Sequence, residues 1–173
     1  MKCVPASAPR TERAGLVYPP GPAAPPPMSS FPPWLTEIDH TGDIGIRVAA
    51  PTVPAIFERA AEGTFHVLTD LAAVRPTTET TLTVRAPDRE ALLVRWLSEL
   101  NYRHTVEHTL YSTFAVERLD EDGDELVLTA TVRGEPIDPA RHVVHTEITA
   151  ITFHGLAVRP TDEGWTVQII FDM

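Results

Sequence analysis

The residues best suited to chemistry are carboxylates near the two ends of the patterned part of the chain. Asp39 and Asp43 bracket a turn containing Gly42, and Asp172 precedes Met173, whose α-carboxylate adds a further anion. Asp172 also ends the apolar run Ile169-Ile170-Phe171, company that charged groups seldom keep without a partner. If the last strand lies beside the first, Asp43, Asp172 and the Met173 carboxylate converge. Oxygen donors from separate strands, completed by water, suit a hard divalent cation. The spacing leaves a second reading open, in which Asp39 and Asp43 cap their own turn amides and Asp172 faces solvent. His40 either orients one of these carboxylates or holds the turn as a core histidine.

Other chemistries find less support. His104 and His108 are spaced i,i+4 and His142 and His145 i,i+3, but there is no HExxH. The first pair falls where a helix runs out, and histidines there favour the negative end of the helix dipole. Asp120-Glu121-Asp122-Gly123-Asp124 has the alternating acids of a calcium loop. It is too short, is flanked by strand-like runs and lacks the glutamate at loop position twelve, so it reads as a solvated hairpin turn. No GxSxG is present, and Ser98, expected to be buried in a helix, and Ser112, in a strand-like run, occupy no nucleophile elbow. Neither a dinucleotide glycine fingerprint nor a GxxxxGK loop occurs. If a ligand such as GTP is relevant, a partner is expected to hold it.

Composition narrows the class. The 173 residues carry 24 acids against 14 lysines and arginines, a formal charge of -10. Bases are scattered without a run of three, which disfavours nonspecific duplex binding and favours a basic protein surface or a bound cation. The single Cys3 supports neither a cystine framework nor a thiol zinc site. No window reaches 18 apolar residues, and residues 1–15 lack the apolar core of a signal peptide; the expectation is a cytoplasmic protein with no membrane association.

The elements that must position the carboxylates follow from periodicity. Ten of the 17 prolines fall in residues 1–33, which therefore read as an extended or disordered tail. Residues 34–173 read as one domain. Leu35 to Asp39 form a short strand, and Ile44, Ile46 and Val48 alternate in a second. Thr52 caps a helix to about Leu68, with Ile56, Phe57, Ala60, Ala61, Thr64, Phe65 and Leu68 on its apolar stripe. Residues 79–86 form a strand, and Asp88 caps a second helix to about Tyr102 that buries Leu92, Leu93, Trp96, Leu97 and Leu100. Strands over Leu110–Leu119, Glu125–Arg133, Thr146–Val158 and Gly164–Met173 complete an α+β fold: one compact domain, two main helices packed on a mostly antiparallel or mixed sheet.

Five blocks then carry a resemblance. Leu35-Thr36-Glu37-Ile38-Asp39-His40-Thr41-Gly42-Asp43-Ile44-Gly45-Ile46 resembles the opening of the archease family. It is followed in family order by Glu90 to Leu100, Gly134-Glu135-Pro136-Ile137-Asp138, Glu147 to Leu156, and Val167-Gln168-Ile169-Ile170-Phe171-Asp172-Met173. Together they span residues 34–173. The resemblance implies an accessory factor, not itself an enzyme, for the RNA ligase that joins 2',3'-cyclic-phosphate or 3'-phosphate ends to 5'-hydroxyl ends in tRNA splicing and RNA repair. It implies help with GTP-dependent guanylylation of the ligase histidine and with multiple turnover, RNA being reached through the ligase. It also implies a metal site on Asp43, Asp172 and terminal Met173, with Asp39 next, calcium being the first candidate occupant and zinc and magnesium the others. Three positions depart from the family pattern: Thr149 stands for a lysine, Asn101 for an apolar residue and Gly42 for alanine. The rival expectation from another class is a free-standing metal-dependent phosphoester hydrolase, with His40 as its acid or base.

Overall fold

The computed structural model describes residues 31–40 and 43–173, without the side chains of Asp39, His40 and Asp43. The tail expectation for residues 1–30, the Cys3 thiol and the Thr41-Gly42 step lie outside the described residues. Phe31 already packs edge-on against His66, with ring centroids 5.8 Å apart.

Extended, β-branched runs at the start of the domain pair with each other. Strands β1 (Leu35–His40) and β2 (Asp43–Ala50) form an antiparallel hairpin in which His40 faces Asp43. Helix α1 (Val53–Leu68) begins at Thr52, whose hydroxyl accepts from the Ala55 amide at 3.3 Å, satisfying one of the orphan donors of the first turn. All seven stripe residues named above are fully buried. After a 3-10 turn (Leu71–Ala73) and β3 (Thr78–Ala86) comes helix α2 (Arg89–Val106), capped by Asp88 at 2.7 Å from the Ala91 amide. Trp96 lies at its centre with no exposure and donates its indole N–H to the Phe57 carbonyl, tying α2 to α1.

Strands β4 (Thr109–Asp122) and β5 (Glu125–Pro136) make a long hairpin. Its turn is only Gly123-Asp124: glycine takes φ +66° and the aspartate stays at negative φ, as a two-residue turn with glycine first requires. Asp120 and Asp122 belong to β4 and pair with Arg118 and Arg85. The acidic run is thus a hairpin end, as expected.

The last third departs from the periodicity reading. Only β6 (Ala150–Ile151) and β7 (Arg159–Thr161) are extended between residues 146 and 161, before β8 (Gly164–Asp172). The expected strand Thr146–Val158 does not form. Its buried positions are Ile148, Ile151, Leu156 and Val158, a spacing that never sustains the period of two a strand needs. Gly155 turns the chain at φ +66°, and the Val158 amide is taken by the Glu90 side chain at 3.0 Å. Ser98 is exposed rather than buried.

One sheet runs β1-β2-β8-β6, with β7 along the same edge of β8 as β6; the other runs β3-β5-β4. Every pair among the described strands is antiparallel. Helix α1 packs on β2 and β4, and α2 on β3, β4, β5 and β6, so each helix touches both sheets. The core between them forms one continuous cluster.

Candidate functional site

The register of the larger sheet decides where the carboxylates stand. Strand β8 pairs with β2, not with β1, and Ile44 faces Phe171 at the end of that ladder. Asp43 and Asp172 are the next residues outward on these two neighbouring strands. His40 faces Asp43 across the β1–β2 pair, and Ala150 faces Asp172 across the β6–β8 pair. His40, Asp43, Asp172 and Ala150 thus occupy one row at one end of the sheet. Asp39 sits one row inward, opposite Ile44. Met173 follows β8 and is 40% exposed, and Asp172 is exposed. The register thus sets the backbones of Asp43 and Asp172 side by side, with Met173 the next residue along the chain.

The apolar part of β8 makes this row stable. Val167, Ile169, Ile170 and Phe171 are all buried, Phe171 completely, so burial fixes the register and carries Asp172 just past the core. On the side of β8 that faces β6, the Thr149 amide donates to the Asp172 carbonyl at 2.8 Å, and the Thr152 amide and hydroxyl both donate to the Ile170 carbonyl. Asn101, 8% exposed on α2, donates its amide N–H to the Ile148 carbonyl at 2.8 Å, while its own Oδ1 is buried without a partner. The two departures at Asn101 and Thr149 therefore meet on one peptide group.

The segment 137–149 that delivers this peptide is anchored twice. At its start Glu135, 7% exposed, accepts from Arg141 Nη2 at 2.7 Å, from the Arg75 amide at 2.8 Å and from His142 Nε2 at 3.0 Å. The Arg141 guanidinium, followed by the Arg75 amide, lowers the Glu135 carboxyl from its ordinary 4.5 to about 2. Asp138 donates its amide to His142 Nδ1 at 2.9 Å; that nitrogen must accept, so Nε2 carries the proton toward Glu135. Further on, the Thr69 hydroxyl donates to the Val143 carbonyl and the His145 amide to the Leu68 carbonyl. The contacts to Arg75 and Thr69 span 60 and 74 residues, so no local pattern encodes them.

The histidines sort the same way. His104 is 4% exposed, packs edge-on against Phe65 and shares a 3.2 Å contact from Nδ1 to the Thr109 carbonyl. Burial lowers its pKa, so it is neutral packing rather than the dipole-favoured cation expected. His108 lies past the helix at φ 51°. His142 serves Glu135.

The side chains of Asp43 and Asp172, the two acids placed in this row, carry only oxygen donors, the type that fits a hard divalent cation. Among the residues whose side chains are described, no group of three or more His, Cys, Asp or Glu could hold a metal. At the opposite end of β2 and β8, an open depression of about 580 Å³ is lined by Pro51, Arg59, Asp162, Glu163 and Trp165. Arg59 there stacks over Trp34 and donates to the Ala49 carbonyl. Its cation is thus already engaged. No described helix is long and apolar enough to cross a membrane.

The comparisons with known proteins agree with this architecture. The profile of the Archease protein family (MTH1598/TM1083) matches residues 36–173. Protein archease from Methanopyrus kandleri is 37% identical over 141 residues, covering 82% of this chain and 99% of that protein. Protein archease from Methanosarcina mazei is 37% identical over 136 residues, covering 79% of this chain and 93% of that one. The solution structure of Methanobacterium thermoautotrophicum protein 1598 superposes with a TM-score of 0.72 at 34% identity, over 81% of this chain and 99% of that one. With the family profile spanning nearly all of the described domain, and with relatives matched over almost their full length, the chain belongs to the archease family.

Proposed function

We propose that this chain is a non-catalytic, divalent-metal-binding activator of the RNA ligase that joins cyclic-phosphate or 3'-phosphate ends to 5'-hydroxyl ends. It acts in the cytoplasm, promotes GTP-dependent guanylylation of the ligase and multiple turnover in tRNA splicing or RNA repair, and meets RNA only through the ligase. Family membership supports the ligase as partner. The observation that supports the acidic site best is the row joining Asp43 to Asp172 across β2 and β8.

On this reading Asp43 and Asp172 hold the cation, with the Met173 carboxylate and then Asp39 as further oxygen donors and calcium ahead of zinc and magnesium. A divalent cation supplies a fixed positive charge able to stabilise anionic oxygens. The protein supplies position. The buried residues of β8 hold Asp172 at an exposed end of the sheet beside Asp43, from where the site can approach the metal-rich, phosphate-binding pocket of a ligase and steady its ligands without new covalent chemistry.

The test is ligation by limiting ligase with GTP and divalent metal, with and without the chain, beside a generic phosphodiester offered to the chain alone. The account predicts more turnovers per ligase and no hydrolysis by the chain. Metal-dependent hydrolysis without ligase would favour the phosphoesterase instead.

A further inference from the structure

We infer that Asn101 is a positioning residue for the carboxylate end of β8, acting through the Ile148–Thr149 peptide. The inference rests on the reading of that end as a metal site. Asn101 Nδ2 donates to the carbonyl of Ile148, and the amide of Thr149, in the same peptide group, donates to the carbonyl of Asp172, each at 2.8 Å. Helix α2 and the last residue of β8 are thereby joined through one planar unit, whose two hydrogen bonds polarise each other.

The end of β8 depends on this contact more than a central strand would. The ladder with β2 stops at Ile44 and Phe171, and on the other side β6 offers only Ala150 and Ile151. The tether at Asp172 is therefore the stretch beginning at Thr149. Upstream, the nearest backbone anchor of that stretch among the described residues is the His145 amide on the Leu68 carbonyl. Asn101 supplies the hold in between, from a helix whose neighbouring Leu97 and Leu100 are completely buried.

The unpartnered Oδ1 shows which half of the side chain matters. A leucine at this place on the apolar face would carry no orphan oxygen of its own but would strip the buried Ile148 carbonyl of its donor, whereas Asn101 keeps that donor and leaves only its own Oδ1 unpaired. Rotating the amide would set Oδ1 against the Ile148 carbonyl, so the donor is held where it is and the orphan is its consequence. The donor function at Ile148 is what distinguishes Asn101 from an apolar filler.

The experiment uses the full chain, with Asn101→Leu, Asn101→Ala in case the larger residue prevents folding, and Asp172→Asn as the site control. Hydrogen exchange of the Thr149 amide and calorimetric titration with Ca²⁺ alone are read beside thermal stability. The expected result is faster Thr149 exchange in both Asn101 variants and Ca²⁺ affinity lower by about three- to tenfold, the range of one net hydrogen bond, whichever way stability moves. A melting shift with unchanged Thr149 exchange, or with unchanged Ca²⁺ affinity, overturns the inference and leaves Asn101 a packing residue. If Asp172→Asn leaves Ca²⁺ binding unaltered, the metal-site reading itself fails, and positioning for it fails with it.

Discussion

Replacing Asp172 by asparagine should move stability in opposite directions with and without metal. Asp172 and Asp43 are next to each other in the row beyond the Ile44–Phe171 pair, and directly opposed strand positions have Cα atoms roughly 4.5–5.5 Å apart. Like charges so placed cost roughly 0.2–1 kcal/mol, and the exposure of Asp172 keeps the figure within that range through solvent screening. In excess EDTA, Asp172→Asn should therefore melt above the wild type, by up to about 4 °C, since 1 kcal/mol shifts a domain of this size by roughly 2–4 °C. Calcium reverses the order. A site filled at a hundred times its dissociation constant adds about 2.7 kcal/mol to the wild type, and the variant loses most of that gain. The assay is thermal unfolding by circular dichroism across a Ca²⁺ titration, at low and at high NaCl, the high salt shrinking the difference in EDTA. A variant that melts lower in EDTA, or that gains as much from Ca²⁺ as the wild type, would refute the reasoning.

Further outcomes follow from the surrounding network. The Glu135 carboxyl is depressed to about 2, so its contribution to stability is complete above its ordinary 4.5 and is lost as pH falls through 2; Glu135→Gln should flatten that acid limb in denaturation followed by fluorescence. Trp96→Phe removes the indole donor to the Phe57 carbonyl in a fully buried place, and should cost about 1–3 kcal/mol in urea unfolding. Gly134→Ala would drive a Cβ into the Leu110 carbonyl and should destabilise by about 1–3 kcal/mol, measured as a lower urea midpoint. Thr149→Lys would return a cation beside Asp172 and should raise metal-free stability by a few tenths of a kcal/mol at low salt, an effect that disappears at high salt.

How far the sequence could be read depended on whether a feature was local. The caps at Thr52 and Asp88 and the stripes of α1 and α2 are set by residues within a turn or two of each other, and both helices stand where their periodicity puts them, α2 running one turn further to Val106. The carboxylate row was legible in part. Asp43 and Asp172 stand out as acids beside apolar strands, but their adjacency depends on β8 choosing β2 as its neighbour. The 146–158 segment does not form the expected strand because its backbone bonds in turn to α2 side chains, at Ile148 and Val158, and to β8, at Thr149 and Thr152. Asn101 extends the stripe through Leu97 toward His104, and a polar residue on such a stripe signals a buried partner. Which partner, the Ile148 carbonyl, depends on a contact spanning 47 residues that no local pattern encodes.

The central claim is tested most directly by the rate of guanylylation of the cognate ligase, with GTP and divalent metal, in the presence of the wild-type chain, of Asp43→Ala, and of no added chain. The account predicts faster guanylylation with the wild type and a return to the unassisted rate with Asp43→Ala, whose circular dichroism stays that of the folded protein. Acceleration that survives in Asp43→Ala would contradict the acidic site, and no acceleration by the folded wild type would contradict the activator role itself.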